Sequence, residues 1–196
     1  MTLHQADGVQ PMPARSSPAA IDAAARAVDI VNLVVGSRSG PDELGSSLRA
    51  ALGRWGEQLD SSFDDEIDEF VALCHRLRAV LELADRDRAA EALNELLAVH
   101  TARPRLVREP GWDWHLHFDD PRAGWTSWFG SAGAFALAER LATTGGRLPW
   151  GICAEPECTN AFLDNGRRQP QRHCSPRCAT RSRVRRHRAR SAAIAD

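Results

Sequence analysis

The chain has no lysine, so all 25 of its basic residues are arginine. That composition reflects GC-rich coding as much as a demand for arginine chemistry. No window stays apolar for the roughly 20 residues that a membrane span requires, which argues against a membrane protein. The opening stretch, MTLHQADGVQPMPARSSPAA, has no basic start followed by an apolar run. No secretory signal is therefore expected, and the cytoplasm is the expected compartment. The sequence also has no phosphate loop, no cofactor fingerprint and no nucleophile paired with a base, so an enzyme is not expected. Internal repeats and low-complexity tracts are absent too.

What is present fits one ordinary domain followed by a small one. At 196 residues and 43% hydrophobic, the chain can bury a real core. Its net charge of −1 conceals an asymmetry: residues 151–196 carry ten arginines against four acids, a charge of +6, whereas the first 150 residues carry −7. An acidic body with a basic end segment suggests an end meant for a polyanion.

Four of the five cysteines sit in that end segment, within CAEPECTNAFLDNGRRQPQRHCSPRC. Cys153 and Cys158 are separated by four residues, Cys174 and Cys178 by three, and the pairs by fifteen. Two close thiol pairs across such a spacer suit one tetrahedral zinc ion. In a reducing compartment, clustered cysteines favour metal over disulfides. A four-cysteine site is coordinatively closed, so the zinc has a structural role and supplies folding energy to a module too small to hold itself together. His173, beside Cys174, is a spare imidazole that four thiolates make unnecessary as a ligand. Ala161-Phe162-Leu163 can form a short strand, Asn165-Gly166 a turn, and residues 171–173 a return strand. Ser175 is a natural helix N-cap and Pro176 a natural first helical residue, which places Cys178 in the first turn. Hairpin then helix, with ligands at both ends, is a treble-clef-like zinc finger.

The stretch resembles the CGNR zinc finger, which follows an all-helical domain called ABATE in bacterial proteins regarded as stress-responsive transcription regulators. The resemblance rests on CAEPEC at 153–158, AFLD at 161–164 and HCSPRCATRSRVRRHRAR at 173–190. The signature tetrad reads Cys178-Ala179-Thr180-Arg181, so the ligand and the arginine are kept and the middle Gly-Asn pair is replaced. The resemblance implies a helical regulatory domain ahead of a DNA-binding finger.

Ahead of the finger the pattern is mainly helical. Residues 1–18 are rich in Pro, Gln, Ser and Gly and read as a disordered lead-in. Apolar residues then recur at helical spacing over about 21–35, 42–55, 64–84 and 87–100, and short loops between them imply an antiparallel bundle. Cys74 falls in the apolar stripe of the third helix and reads as a core residue. AVDIVNLV at 27–34 is similar to the opening of the ABATE domain, with Asp29 and Asn32 at its recurring polar positions. They form either a notch for a small-molecule effector or a buried pair satisfied by its neighbours, and the second is favoured because buried polar groups are normally hydrogen-bonded. Between 112 and 119 the sequence alternates strictly. Trp112, Trp114, Leu116 and Phe118 form an apolar face, with Asp113, His115, His117 and Asp119 opposite. This predicts a half-exposed strand with the polar face in solvent, paired with residues 104–108 in a hairpin. A further helix spans 125–143, and Trp150 is placed to pack between body and finger.

The fold expected is thus mainly α. A helical domain with a small β-hairpin (19–146) precedes the finger (150–190), which ends in a basic helix, and residues 191–196 form a flexible tail. Seven arginines occur between 177 and 190 with no acid among them, and such a helix wants a polyanionic counterpart. The candidate nucleic-acid contacts are Arg167, Arg168, Arg172, Arg177, Arg181, Arg183, Arg185, Arg186, Arg188 and Arg190. Docking of this helix on the acidic body is the competing reading. The finger has no aromatic platform for single strands, which favours double-stranded DNA. An acidic protein partner is the alternative, and a homodimer is compatible with either.

Overall fold

A computed structural model describes residues 22–108, 114–164, 166 and 169–195. The lead-in, Trp112, Asp113, Arg167 and Arg168 lie outside the described residues. Helix α1 (Ala23–Gly36) begins where the Asp22 carboxylate accepts the N–H of Ala25. It is followed by α2 (Pro41–Arg54), a single turn α3 (Ser62–Asp65), α4 (Ile67–Glu82) and α5 (Arg86–His100), the last capped by the Asp85 carboxylate. Strands β1 (Arg105–Val107) and β2 (His115–His117) form an antiparallel hairpin in which Leu106 faces Leu116. The longest helix of the body, α6 (Trp125–Thr143), follows.

α6 fills the middle of the body because its own side chains are small. Gly130, Ser131, Ala132, Gly133 and Ala134 are all buried. A Cβ on Gly133 would meet Ala27 of α1 at 3.2 Å, and one on Gly130 would collide with the His100 ring of α5 at 2.7 Å. α1 and α5 therefore approach the α6 backbone from two sides, and α4 closes the third. The core between them is tightly interdigitated: Phe63 meets Phe70 edge to face, Phe70 lies tilted against Phe129, and Ile30, Leu48, Leu77 and Leu93 are fully enclosed. Cys74 is fully buried there, as its stripe implied. Arg26 and Glu57 form a buried ion pair, with the guanidinium 4.4 Å over the Trp128 ring. The start of α6 is capped from a distance, since the Glu66 carboxylate accepts the N–H groups of Trp125 (3.0 Å) and Thr126 (2.8 Å).

The hairpin reverses the expected orientation. His115, His117 and Asp119 are buried, while Trp114 is 60% and Leu116 48% exposed. Alternation shows that the two faces differ, and it does not show which face turns inward. Here the polar face is covered because its groups satisfy one another. The His115 and His117 Nε2 atoms lie 3.0 Å apart, the Asp119 carboxylate is 3.1 Å from His117 Nδ1, and the Asp119 carbonyl accepts from Arg105.

Beyond α6, β3 (Trp150–Ile152) and β4 (Ala161–Leu163) form a second antiparallel hairpin, and α7 (Pro176–Ala195) ends the described chain. β4 thus pairs backward with residues 150–152, not forward with 171–173. The forward segment contributes one bond, Ala154 N–H to the Arg172 carbonyl at 2.8 Å. Gly166 sits at φ +69°, as a turn there requires. Trp150 is buried in the core, joining finger to body. α7 continues through the segment expected as a tail. Among the described residues, no helix is long and apolar enough to cross a membrane.

Candidate zinc centre and basic helix

The finger assembles its ligands from two short backbone devices. In the first, the Cys153 N–H donates to the Asn160 carbonyl (2.9 Å) and the Cys158 N–H to the Glu155 carbonyl (2.8 Å), folding CAEPEC into a knuckle. In the second, the Ser175 hydroxyl accepts the Cys178 N–H at 3.2 Å, and Pro176 opens α7. The Ser-Pro start expected from the sequence is therefore the N-cap that carries Cys178.

The ligand atoms of Cys153, Cys158, Cys174 and Cys178 all lie within 4.8 Å of one another. The Sγ separations Cys158–Cys174 and Cys174–Cys178 are both 3.7 Å. Four sulfurs about 2.3 Å from one tetrahedral zinc would sit about 3.8 Å apart, so the set fits the ion as it stands. The electrostatics also call for a cation. Burial, and then the neighbouring thiols, push Cys174 up to about 12. Cys158 is raised chiefly by burial as well. Cys178, by contrast, is lowered to about 6 by the Ser175 hydroxyl and then by Arg181, which donates to its sulfur at 3.4 Å. Four thiolates cannot ionise together at neutral pH unless a metal replaces their protons. This is a zinc-binding finger with one structural Zn2+. His173 is not among the clustered ligands.

α7 shows how its arginines divide. Arg181 and Arg185 turn toward the knuckle: Arg181 contacts Cys178, and Arg185 reaches Glu155 (2.6 Å) and Glu157 (3.1 Å). Glu155 is fully buried, so it works as an internal anchor for the helix. Sequence reading missed that role, although an acid between two ligands, facing an all-basic helix, was a usable signal. Arg172, Arg177, Arg183, Arg186, Arg188 and Arg190 are exposed and make no ion pair with the described residues. At 100° per residue, Arg183, Arg186 and Arg190 fall on the side of α7 opposite Arg181 and Arg185. The pairing that does occur is with acids of the finger itself, Glu155 and Glu157, rather than with the acidic body.

Asp29 and Asn32 both line a cleft between α1 and the finger, with Cys158, Phe162 and Arg181 across from them. Asp29 is exposed and accepts from the Trp55 indole N–H at 2.9 Å. Asn32 clamps the finger: its amide donates to the Ala161 carbonyl (3.0 Å), and its Oδ1 accepts the Ala161 N–H (2.8 Å). From α4, Arg78 adds a bond to the Thr159 carbonyl at 2.6 Å. These two side chains thus dock the finger on the body beside the buried Trp150.

Residues 150–191 match the family model of the CGNR zinc finger, the interval that holds β3, all four cysteines and most of α7. The match does not extend into the helical body. Comparison with curated proteins gave no match.

Proposed function

We propose that the protein is a transcription regulator that binds duplex DNA through its finger and α7, with the helical body as its regulatory unit. The observation that carries this reading is the unpaired stripe on α7. Arg183, Arg186 and Arg190 point away from the finger, and no acid lies among them. Guanidinium groups in that arrangement repel one another and gain from phosphate, which they can grip with two parallel hydrogen bonds. The zinc serves only to hold the platform.

The test is fluorescence anisotropy of the zinc-loaded protein on a random duplex across a salt titration. Each phosphate contact contributes about −0.9 to the slope of log K against log salt. Replacing Arg183, Arg186 and Arg190 with alanine should flatten the slope by about 2–3, while Arg185→Ala should change it far less. Absence of binding at about 50 mM salt, where phosphate contacts are strong, would rule the reading out. An acidic protein partner is the second reading. It is favoured by Val184, which is 43% exposed among the arginines and offers an apolar point of contact that phosphate would not use. A Val184→Asp variant that keeps DNA binding but loses a co-purifying protein would support it.

A further inference from the structure

The second half of α7 buries little: every residue from 183 to 191 is exposed. Contact with the finger is made nearer the start, where Cys178 is buried and Arg185 reaches back to Glu155. A helix without a packed face gains nothing from tertiary burial, so α7 has surface to offer all round.

At about 100° per residue, the α7 arginines not held by the finger fall into two rows on nearly opposite sides of the helix. Arg183, Arg186 and Arg190 form one row, and Arg177 and Arg188 the other. Between the rows, on the surface turned away from Cys178, runs an arc of about 120° that holds Thr180, Val184, His187 and Ser191. All four are exposed, and none is an arginine or an acid.

Two cationic margins about an arginine-free strip match the cross-section of a duplex groove. The major groove is about 12 Å wide with a phosphate backbone along each wall, and an α-helix with its side chains is about 10–12 Å across. The minor groove, about 6 Å wide, excludes such a helix. A helix seated in the major groove turns one arginine row to each backbone and the strip between them to the base edges. From Thr180 to His187 the strip is about 10 Å long, enough for about three base pairs. Val184 is its distinctive member. It is 43% exposed and has neither donor nor acceptor, so phosphate and sugar oxygens give it nothing. The apolar group that a base pair presents in the major groove is the C5-methyl of thymine.

We propose, on the footing of the duplex reading above, that α7 lies in the major groove with an arginine row on each strand, and that Val184 recognises a thymine through its C5-methyl group. Arginine contacts to phosphate supply affinity, and the strip between the rows supplies sequence preference.

Selection from a pool of randomised duplexes, with the zinc-loaded full chain at about 150 mM salt, tests it. An enriched site with at least one fixed thymine is expected. Replacing that thymidine with deoxyuridine removes the methyl alone, and should weaken wild-type binding about threefold to tenfold. Val184→Ser should lose a similar factor on the enriched site, bind its thymidine and deoxyuridine forms equally, and keep wild-type affinity for random duplex, with helix content and zinc stoichiometry checked. Enrichment of no sequence, or an enriched site indifferent to deoxyuridine at every thymine, would overturn the proposal while phosphate binding and its salt slope stood. Equal loss on random and enriched duplexes in the serine variant would also overturn it. No binding to any duplex would overturn both the proposal and the DNA reading beneath it.

Discussion

Asn32→Ala removes the clamp between α1 and β4 without touching zinc, thiols or core. The side chain makes two hydrogen bonds to one residue, Ala161, at 2.8 and 3.0 Å in a half-buried site. Each is worth about 1 kcal/mol net, and the stranded N–H and C=O of Ala161 add a partial desolvation cost that nearby water relieves, so a loss of about 2 kcal/mol is expected. For a chain of this size that lowers the melting temperature by about 4–8 °C if finger and body unfold together. If the finger detaches first, the loss shows instead as faster hydrogen exchange at the Ala161 amide, by about thirtyfold for the same free energy. Asn32→Asp is the sharper variant. It keeps an acceptor for the Ala161 N–H but sets a carboxylate against the Ala161 carbonyl, and it should cost at least as much at neutral pH. Differential scanning fluorimetry and amide exchange by NMR read the two outcomes. A melting temperature within about 1 °C of wild type, together with unchanged exchange at Ala161, would refute the docking argument.

Other expectations follow from particular contacts. A Cβ on Gly124 would lie 2.1–2.4 Å from the Glu66 carboxylate that caps α6, so Gly124→Ala should cost about 1–3 kcal/mol in urea unfolding, and Glu66→Ala about 1–2 kcal/mol. Burial, and then Arg76, hold His100 below its ordinary value of 6.5. The unfolded chain therefore takes up the proton first, and stability should fall as pH drops from about 7 toward 5; His100→Gln should flatten that part of the stability profile. Zinc removal by a chelator should erase amide protection in β3 and β4 while leaving α4 and α6 protected, and Cys174→Ser should do the same without chelator. Uniform loss of protection over the whole chain would contradict the separate footing of the body. Glu155→Gln should loosen α7 near Arg185, seen as faster exchange over residues 181–186, with zinc stoichiometry unchanged.

Local chemistry explains which parts of this structure could be read from the sequence. Cysteine spacing and the Ser175-Pro176 start determine the finger's ligands and the beginning of α7, because metal geometry and helix capping are short-range rules. Leucine and alanine periodicity places α1, α2, α4, α5 and α6 within a few residues for the same reason. The failures share a cause of the opposite kind. The inward face of β2 depends on His115, His117, Asp119 and Arg105 finding one another across the hairpin. The partner of β4 is decided by Trp150 packing into a core whose members reach back as far as Ala24. Arg181 and Arg185 turn toward Cys178 and Glu155, and Glu155 is a partner that a helical projection of α7 alone does not contain. Asn32 is legible as a polar group satisfied by its neighbours, but the neighbour, Ala161, is fixed only once the finger lies beside α1.

That last contact has a consequence for how the protein keeps to itself. A two-stranded sheet exposes backbone along both margins, and an exposed margin invites a stray strand from another chain. Ala161 presents its N–H and C=O on the outer side of β4, and the Asn32 amide takes both, as a neighbouring strand would. At Ala161 the margin is closed by one side chain from elsewhere in the same molecule. Strand exchange or fibrillar stacking at that edge would first have to pull the finger off α1, so the contact that docks the module also shields it from aggregation.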